Sequence, residues 1–229
     1  MFRLLRELYY SNALDKEQKN DACIMQILVC LATDIEIHHE YKNKLNEWKQ
    51  HSLDFMVTGM GAAQTIYYLT KTLHQKKYDL VINIGIAGAF NQQLKLGDVV
   101  QVIADTFADL GFQEEHSFIH LSELEKQPTF LEQKHIRNFQ LKNVKGITVN
   151  TVSADFNRNR MLEQKYKADI ETMESAAYFM VCTYENIPFI ALRAISNRVG
   201  ERDKSKWNIA LAVHNLWLTL SKIITTFDE

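Results

Sequence analysis

The stretch LVINIGIAGAFNQQLKLGDVV, residues 80–100, decides the fold. It begins as an apolar, β-branched run, passes through Gly85 and Gly88, and starts a second apolar run after Gly97. A short apolar run bounded by turn residues is typical of a strand that is buried on both faces. Glycines inside such a strand indicate a tight bend beside a ligand or another backbone, and sheet curvature is the alternative.

On both sides of this stretch, short apolar or β-branched runs alternate with longer segments of helical period. The alternation predicts one α/β domain with a central mixed, largely parallel twisted sheet flanked by helices. The predicted strands are 25–32, 53–58, 79–86, 97–104, 146–153 and 188–195. The predicted helices are 34–50, 62–77, 130–141, 156–165, 172–186 and 208–226.

The composition is that of an ordinary globular chain: 229 residues, 46% hydrophobic and 24% charged, with a net charge of -2. A chain of this length buries a sizeable core without needing a disulfide or a metal. The balanced charge gives no electrostatic footprint for a nucleic-acid backbone or an anionic membrane. No segment approaches the ~18 apolar residues of a membrane helix. We therefore expect a small-molecule partner, no nucleic acid and no membrane.

Residues 1–24 are charged, polar and weakly patterned, and we interpret them as an N-terminal extension of unknown role before a domain of residues 25–229. The first ten residues, MFRLLRELYY, lack the apolar core of a secretory signal. Cys23, Cys30 and Cys182 show no paired spacing. These features favour a cytoplasmic protein without a disulfide, zinc or redox site, and no spacing suggests a metal or an organic cofactor.

Ligands of open α/β sheets lie at the carboxyl ends of the strands, so residues that follow each strand are the site candidates. In FMVTGMGAAQ, Gly59 and Gly61 separate a strand from a helix, where a backbone can approach a ligand closely. A purely structural turn is the alternative. A dinucleotide fingerprint is excluded because Gln64 stands where the third glycine would fall.

The segment DIETMESAAYFMV carries two acids at the start of a predicted helix. Glu171 and Glu174 are three residues apart and would lie on neighbouring faces of the first turn. Acids at this position often only complement the helix dipole. This helix start follows the strand predicted at 146–153 by roughly twenty residues, a length that can bring both acids to the same sheet edge as the other candidates.

An arginine, Arg193, stands inside the apolar strand PFIALRAISN. Burying a guanidinium is costly unless it is paired, so the position predicts a buried carboxylate partner. Glu36, which follows the first strand in LATDIEI, is the candidate partner. A structural ion pair is the alternative to a role in chemistry.

Four motifs together, GMG at 59–61, NIGIAGAF with LKLGDVV, TMESAA and PFIALRAISN, resemble the nucleoside phosphorylase and nucleosidase superfamily in order and spacing. The resemblance covers about residues 25–226 and implies a nucleoside phosphorylase-like fold. Within the superfamily, TDIE, NTVSADFNRNR and ISNRVGERDKSKW most resemble the futalosine hydrolases. The methylthioadenosine/S-adenosylhomocysteine nucleosidases are the nearest competitor.

The resemblance implies hydrolysis of the N-ribosidic bond of futalosine, releasing hypoxanthine and dehypoxanthine futalosine in menaquinone biosynthesis. The competing nucleosidases carry Asp at the position of Asn197, where it protonates adenine. The amide of Asn197 cannot act as an acid, but it can donate to N7 and O6 of a 6-oxopurine. Phosphorolysis is disfavoured because GMGAAQ contains no arginine and Ile86 stands where relatives place Ser or Thr.

The same resemblance assigns roles to individual side chains. Glu36 is expected to activate the water, Arg193 to hold the carboxylate or the water, and Asn197 to stabilise the departing base. Glu174 would bind the ribose hydroxyls. The expected substrate-binding residues are Gly61, Ser153, Phe156, Thr172, Met173, Glu174 and Arg198.

The benzoate end of futalosine requires a cation, and Arg198, Arg202 and Lys206 are the candidates, with a solvated charged loop as the alternative. Relatives in the superfamily are usually dimers or higher oligomers, so the resemblance implies a homo-oligomer. A purine nucleoside phosphorylase and a non-catalytic ligand-binding protein that reuses the fold are the remaining alternatives.

Overall fold

The structure is a computed structural model that describes residues 24–47, 50–115, 117–134 and 136–227. Its strands are β1 (Gln26–Leu31), β2 (Ser52–Val57), β3 (Leu80–Ala89), β4 (Val99–Asp105), β5 (Gly111–Gln113), β6 (Phe118–His120), β7 (Leu131–Glu132), β8 (Lys142–Thr148), β9 (Ile170–Thr172) and β10 (Phe189–Arg198). Its helices are α1 (His39–Asn46), α2 (Ala62–Gln75), α3 (Leu121–Glu125), α4 (Phe156–Tyr166), α5 (Ser175–Tyr184) and α6 (Ile209–Thr225), with single 3-10 turns at Asp34–Glu36 and Lys204–Lys206.

Strand β3, which carries the glycine-rich stretch, lies at the centre of the main sheet. It pairs in parallel with β1 and β10 and antiparallel with β9. From β10 the sheet continues through β4 and β8 back to β9. These five strands therefore close into a ring, and β1 and β2 extend it at one side. The expected single α/β domain with a mixed, largely parallel sheet is confirmed.

The side chains inside the ring are mostly small or β-branched. Those that form one buried cluster come from all five ring strands and include Ala87, Val102, Val144, Ile170 and Ile195. Outside the ring, α6 covers β1, β3 and β10 through a second cluster that contains the fully buried Trp217. The helices thus leave the carboxyl ends of the parallel strands β1, β3 and β10 together at one edge.

The helix predicted at 130–141 is wrong. Residues 131–132 form the short strand β7, which pairs antiparallel with the end of β4, and the described residues from there to β8 are irregular. The backbone N–H of Gln133 also donates to the carbonyl of Ile103. Ladder hydrogen bonds to a sheet edge outweigh the local helical preference of this charged segment.

Three further boundaries differ from the sequence prediction. The segment 34–50 forms a 3-10 turn followed by the short α1, because Ile37 and His38 adopt extended backbone. The strand predicted at 146–153 lies at 142–148. The helix predicted from 172 begins at 175, since residues 170–172 form β9. Glu171 and Glu174 are therefore not in one helical turn.

Residues 1–23, almost the whole of the expected N-terminal extension, lie outside the described residues. Among the helices of the described ranges, none has the length and apolar character needed to cross a bilayer.

Candidate active site

Glu36 lies just beyond the end of β1, in the 3-10 turn, and is only 5% exposed. Its Oε2 accepts hydrogen bonds from the backbone N–H groups of Ala32 (2.9 Å) and Thr33 (3.1 Å), and its Oε1 accepts one from Ile86 on β3 (3.0 Å). The indole N–H of Trp217 donates to the carbonyl of Glu36 (2.6 Å). The carboxylate is thus fixed by three backbone donors, and one of its four acceptor positions remains.

Burial raises the pKa of Glu36, while the hydrogen bond from Ile86 and the charge of Arg193 act in the opposite direction. A nearby acid, Glu174, raises this pKa further. A carboxylate that is oriented by its surroundings and has a raised pKa is suited to act as a general base.

Glycine at position 85 makes room for this carboxylate inside β3. A Cβ atom at Gly85 would lie 3.0 Å from Oε1 of Glu36 and 3.6 Å from Cζ of Arg193. The two side chains therefore both lie close to the same point of the strand. Any larger residue would push the carboxylate away from the N–H of Ile86.

Arg193 is 2% exposed, and its hydrogen bonds do not go to a carboxylate. Its Nη2 donates to Oδ1 of Asn83, and its Nη1 donates to the carbonyl oxygens of Leu192 (2.8 Å) and Asn83 (3.5 Å). The prediction that Glu36 is its direct partner is wrong: in the described part of the chain, it forms no ion pair. Asn83 lies on the neighbouring strand, two residues before Gly85, the residue that pairs with Arg193, whereas Glu36 reaches in from the end of β1.

The turn between β2 and α2 depends on two glycines. Gly59 and Gly61 have φ angles of 87° and 90°, a left-handed region that other residues rarely adopt. The N–H of Gly61 donates to Oε1 of Glu174 (2.9 Å). The turn therefore brings the end of β2 against the segment that follows β9.

Glu174 is half-buried and occupies the N-cap position of α5, with Met173, also half-buried, before it. The backbone at the start of α5 is held by threonine hydroxyls: Thr172 accepts from the N–H of Ser175 (3.2 Å) and Thr148 accepts from that of Ala176 (2.8 Å). Thr172 is itself buried, and its hydroxyl accepts from the first turn of the helix. Its role in substrate binding stays a prediction.

Sequence reasoning missed Asp105, which closes this threonine network from the end of β4. Its Oδ1 accepts a hydrogen bond from the hydroxyl of Thr148 (2.8 Å), and its Oδ2 has no partner among the described residues. Burial raises the pKa of Asp105 to about 7. An acid at a strand end is a signal that the strand-end rule would have selected.

Asn197 lies at a bulge of β10, opposite Gly88 of β3, and is largely buried. Its Oδ1 accepts from the hydroxyl of Ser196 (2.8 Å), and its Nδ2 donates to the carbonyl of Arg198 (2.8 Å). Nδ2 lies 3.2 Å from the point where a Cβ of Gly88 would stand. The amide orientation is thus fixed, and one N–H of Nδ2 remains for a ligand.

Ser153 and Phe156 lie in the loop after β8 and at the start of α4. Ser153 accepts from the N–H of Asp155 (3.0 Å), and Phe156 is 72% exposed. Phe156 lines a cleft of about 890 Å³ that runs beside the ends of β3 and β10 rather than over Glu36. An aromatic ring in this place remains available to a ligand.

The three cations predicted to meet a benzoate have other partners. Arg198 donates to the carbonyl oxygens of Asn91 (2.8 Å) and Leu94 (2.6 Å), so it ties down the turn after β3. Arg202 lies over the ring of Trp207, and Lys206 pairs with Glu201 (2.8 Å). The guanidinium of Arg198 therefore serves the loop, although Arg198 lines the same cleft as Phe156, and its substrate contact stays a prediction.

The structure brings five of the predicted residues to one edge of the sheet: Glu36, Gly61, Glu174, Arg193 and Asn197. They are joined through β3, whose residues from Gly85 to Gly88 separate the Glu36 end from the Asn197 end. Within the described ranges, no group of three His, Cys, Asp or Glu side chains is placed to hold a metal ion. The arrangement offers one buried carboxylate with an open acceptor position, a second carboxylate held at one oxygen, and an amide donor.

Residues 34–225 match the family model described as the phosphorylase superfamily. The futalosine hydrolase of Acidothermus cellulolyticus is 32% identical over 175 residues, covering 71% of each chain. That of Streptomyces coelicolor is 29% identical over 188 residues, covering 77% of this chain and 80% of the relative. A 5'-methylthioadenosine/S-adenosylhomocysteine nucleosidase of Buchnera aphidicola is 25% identical over 173 residues, 69% of this chain and 72% of the relative.

Two solved structures from Helicobacter pylori share the fold. The 5'-methylthioadenosine/S-adenosylhomocysteine nucleosidase with butyl-thio-DADMe-Immucillin-A has a TM-score of 0.76 at 18% identity, covering 89% of this chain and 99% of that one. Native futalosine hydrolase has a TM-score of 0.75 at 16% identity, covering 90% and 100%. The chain therefore belongs to the phosphorylase superfamily and, within it, to the nucleosidases, which are N-glycosyl hydrolases.

Proposed function

We propose that this nucleosidase hydrolyses the N-ribosidic bond of futalosine and releases hypoxanthine and dehypoxanthine futalosine. The observation that carries the proposal is the amide of Asn197, fixed by Ser196 and Arg198, with one N–H left beside Gly88. A neutral donor at the purine suits a base that needs hydrogen bonds rather than a proton. The futalosine hydrolases among the relatives support the same substrate.

Water activation falls to Glu36. Its three backbone donors leave one acceptor position, which takes a proton from the water as the bond to C1′ of the ribose forms. The transition state resembles an oxocarbenium ion, as in glycoside hydrolysis. Arg193 acts at longer range: its charge favours the ionised form of Glu36 without occupying the carboxylate.

Ribose binding falls to Glu174 and Met173. Oε1 of Glu174 is held by the N–H of Gly61, which leaves Oε2 free to accept from the 2′ and 3′ hydroxyls. Met173 packs against the sugar. Since both contacts exist before and during bond cleavage, they contribute mainly to substrate affinity.

The departing base is stabilised by Asn197. As the bond breaks, negative charge moves onto the purine and its N7 becomes a better acceptor, so the hydrogen bond from Nδ2 strengthens in the transition state. The sequence predicts that Asn197 donates to both N7 and O6, but its geometry allows only one of these two hydrogen bonds. One N–H of Nδ2 is already committed to the carbonyl of Arg198, so a single N–H serves the base.

Water, not phosphate, is the proposed nucleophile. Position 86 contributes its backbone N–H to Glu36 and presents an apolar side chain where a hydroxyl would contact an anion. Arg193, which lies near Gly85, donates to Asn83 and to backbone carbonyls. A phosphate would therefore lack the charged donors that it needs.

The test is base release from futalosine, its 6-amino analogue, inosine and methylthioadenosine, followed by chromatography with and without phosphate. We expect hypoxanthine from futalosine at a rate indifferent to phosphate. For Asn197→Asp we expect weaker futalosine turnover and a gain with adenine nucleosides. Adenine release from methylthioadenosine by the unaltered protein would instead assign the competing nucleosidase activity, which the 25% identical relatives favour.

The proposal extends to the setting of the reaction: menaquinone biosynthesis, in the cytoplasm, by a homo-oligomer of two or more chains. Oligomers are usual in the superfamily that the motifs resemble. Light scattering on the purified protein measures the oligomeric order directly.

A further inference from the structure

Asn83 is a buried amide on β3 that has no role in the mechanism above. It is 2% exposed, and it lies two residues before Gly85, the residue that pairs with Arg193. Residues two apart on a strand share a face, and so do directly paired residues of neighbouring strands. The side chains of Asn83 and Arg193 therefore lie on the same face of the sheet, where Gly85 contributes no side chain.

The orientation of this amide is fixed by β1. Nδ2 of Asn83 donates to the carbonyl of Cys30 (3.3 Å), the residue with which Asn83 pairs on that strand. Oδ1 therefore faces Arg193 and accepts from its Nη2. The backbone carbonyl of Asn83 adds a longer contact to Nη1 (3.5 Å). A single residue thus holds both Nη atoms of the guanidinium.

All the acceptors around this guanidinium are uncharged. The third acceptor is the carbonyl of Leu192 (2.8 Å from Nη1), and within the described ranges Arg193 forms no ion pair. A buried cation is costly unless it is paired, and an aspartate at position 83 would supply the pair. The amide leaves the charge uncompensated at close range. The ionisable groups that sense this charge are Glu36 beyond β1, Asp105 at the end of β4 and Tyr178 on α5.

The edge of the guanidinium that carries Nε lies on the side of Glu36. Nε and Cζ of Arg193 are each 3.6 Å from the point where a Cβ of Gly85 would stand, and Oε1 of Glu36 is 3.0 Å from the same point. The Nη atoms, held by Asn83, are farther from it. In the described part of the chain, Nε makes no hydrogen bond. Asn83 therefore takes one end of the guanidinium and leaves the other end to the carboxylate.

We propose that Asn83 is a positioning residue for the hydrolysis: its neutral amide holds the Nη atoms of Arg193, so that the uncompensated charge and the Nε–H stay on the side of Glu36. The charge keeps the buried carboxylate ionised and therefore able to accept a proton from the water. An acid at position 83 would also hold the guanidinium, but it would cancel the charge. The inference rests on the proposed role of Glu36 as the base and concerns how that base is kept ionised.

The test is the pH dependence of kcat in Asn83→Asp, which keeps the size of the side chain and the acceptor for Nη2. We expect the acid limb to move by about one pH unit to higher pH, because the pKa of Glu36 rises when the charge of Arg193 is cancelled. KM should change little, since Glu174 is untouched.

Gln133→Glu is the matched control. Gln133 is also a buried amide that donates to a backbone carbonyl, that of Phe189 at the amino end of β10 (3.1 Å). The variant introduces the same chemical change four residues from Arg193 along the strand. It should leave the acid limb in place.

Asn83→Ala tests the positioning separately from the charge. It removes Oδ1 and adds no acid, so only backbone carbonyls hold the guanidinium. The plateau value of kcat should fall by about tenfold or more, because Arg193 loses its fixed orientation, while KM changes little. A folded Asn83→Ala protein with normal kcat would show that the backbone alone positions Arg193.

Carbon-13 NMR of the carboxyl group of Glu36, assigned with Glu36→Gln, measures the same midpoint without turnover. Inactivity of the unaltered protein on futalosine would therefore contradict the proposed function alone. A midpoint that is unchanged in folded Asn83→Asp, by kinetics or by NMR, would overturn the role of Asn83. If that variant does not fold, Asn83→Ala decides the point.

Discussion

At the scale of the residue, Glu36 combines a fixed orientation with a raised pKa. Two of its three backbone hydrogen bonds come from the residues after β1 and the third from within β3, so the carboxylate is held from two strands. Burial disfavours the charged form, and this makes the group a stronger base than an exposed glutamate. The same environment should make the activity depend on pH in a way that kinetics can measure.

Replacing Glu36 by Gln should lower kcat by about a hundredfold or more, because general-base catalysis contributes on this order. The base must be ionised to act, so activity of the unaltered protein should fall on the acid side, with a midpoint above the ordinary glutamate pKa of 4.5. The acid limb should be absent from the variant's residual activity. Steady-state kinetics from pH 4 to 9 measure both effects.

The matched control is Glu40→Gln, which changes an exposed carboxylate that pairs with Lys44 on α1. It should leave kcat and the acid limb unchanged. A Glu36→Gln protein that is folded and keeps near-normal kcat would show that another group activates the water.

The positions of single site residues were predictable where those residues lie at strand ends. Hydrogen-bond partners were not predictable, because they depend on which groups the fold brings closest. Glu36 and Glu174 follow strands, Asn197 lies at the carboxyl end of β10, and the sheet brings all three to one edge. The partner of Arg193 could not be inferred, because Asn83 meets it through strand register. The donors of Arg198 turn back to the loop after β3, which no motif indicates.

At the scale of the element, the start of α5 depends on hydroxyls supplied by β8 and β9. Thr148 donates to Asp105 and accepts from the N–H of Ala176, so it links β4, β8 and α5 through one oxygen. The hydroxyl of Thr172 lies 3.3 Å from that of Thr148 and extends this hydrogen-bond network. Glu174 occupies the N-cap position of the same helix, so its position follows that of the network.

Replacing Thr148 by Val keeps the side-chain shape and removes the hydroxyl. Two buried groups then lose their partner, the N–H of Ala176 and Oδ1 of Asp105, and the free energy of unfolding should fall by about 2 kcal/mol or more. Because Glu174 is proposed to bind the ribose through the whole reaction, KM should rise more than kcat falls. Urea unfolding and steady-state kinetics test the two parts separately.

Thr183→Val, in the last turn of α5, is the matched control and should leave KM unchanged. If Thr148→Val loses stability but retains its KM, the network supports the fold without positioning Glu174.

Helices and strands were predictable where the periodic segment was long. The prediction failed where a segment is ordered by pairing with a distant strand. The apolar stripe of α6 and the run of β3 are long enough to predict, and both lie close to the expected ranges. The segment 130–141 contains β7, whose two residues gain their order only from the edge of β4. A strand of three residues such as β9 also carries no detectable period.

At the scale of the whole molecule, the alternation of strands and helices predicted a largely parallel sheet but not its closure into a ring. Closure depends on β9, which joins β8 to β3, and on the antiparallel pairing of β10 with β4. Both are long-range pairings that leave no local pattern. The strands of the ring bury both Asp105 and Glu171. The pH dependence of the stability of the whole protein therefore follows from the topology.

Asp105 and Glu171 both have a pKa raised to about 7, chiefly by burial, against ordinary values of 3.8 and 4.5. Between those limits the folded state binds more protons than the unfolded state, so stability must fall as pH rises. Glu36 has the same direction of shift. Exposed acids held by cations, such as Glu40 and Glu123, act oppositely, and their contribution is lost only at lower pH.

The free energy of unfolding of the ligand-free protein should therefore decrease between pH 5 and pH 8, by roughly 2 to 5 kcal/mol. Asp105→Asn can still accept from Thr148 and cannot ionise. The decrease in the free energy of unfolding between pH 5 and pH 8 should therefore be smaller by about 2 kcal/mol in this variant. Glu163→Gln, on the exposed side of α4, should leave the slope as it is. Urea unfolding at several pH values measures all three proteins. A stability that rises from pH 5 to pH 8 would mean that the buried carboxyls are ionised and compensated in the folded state, because only then does folding release protons in this range.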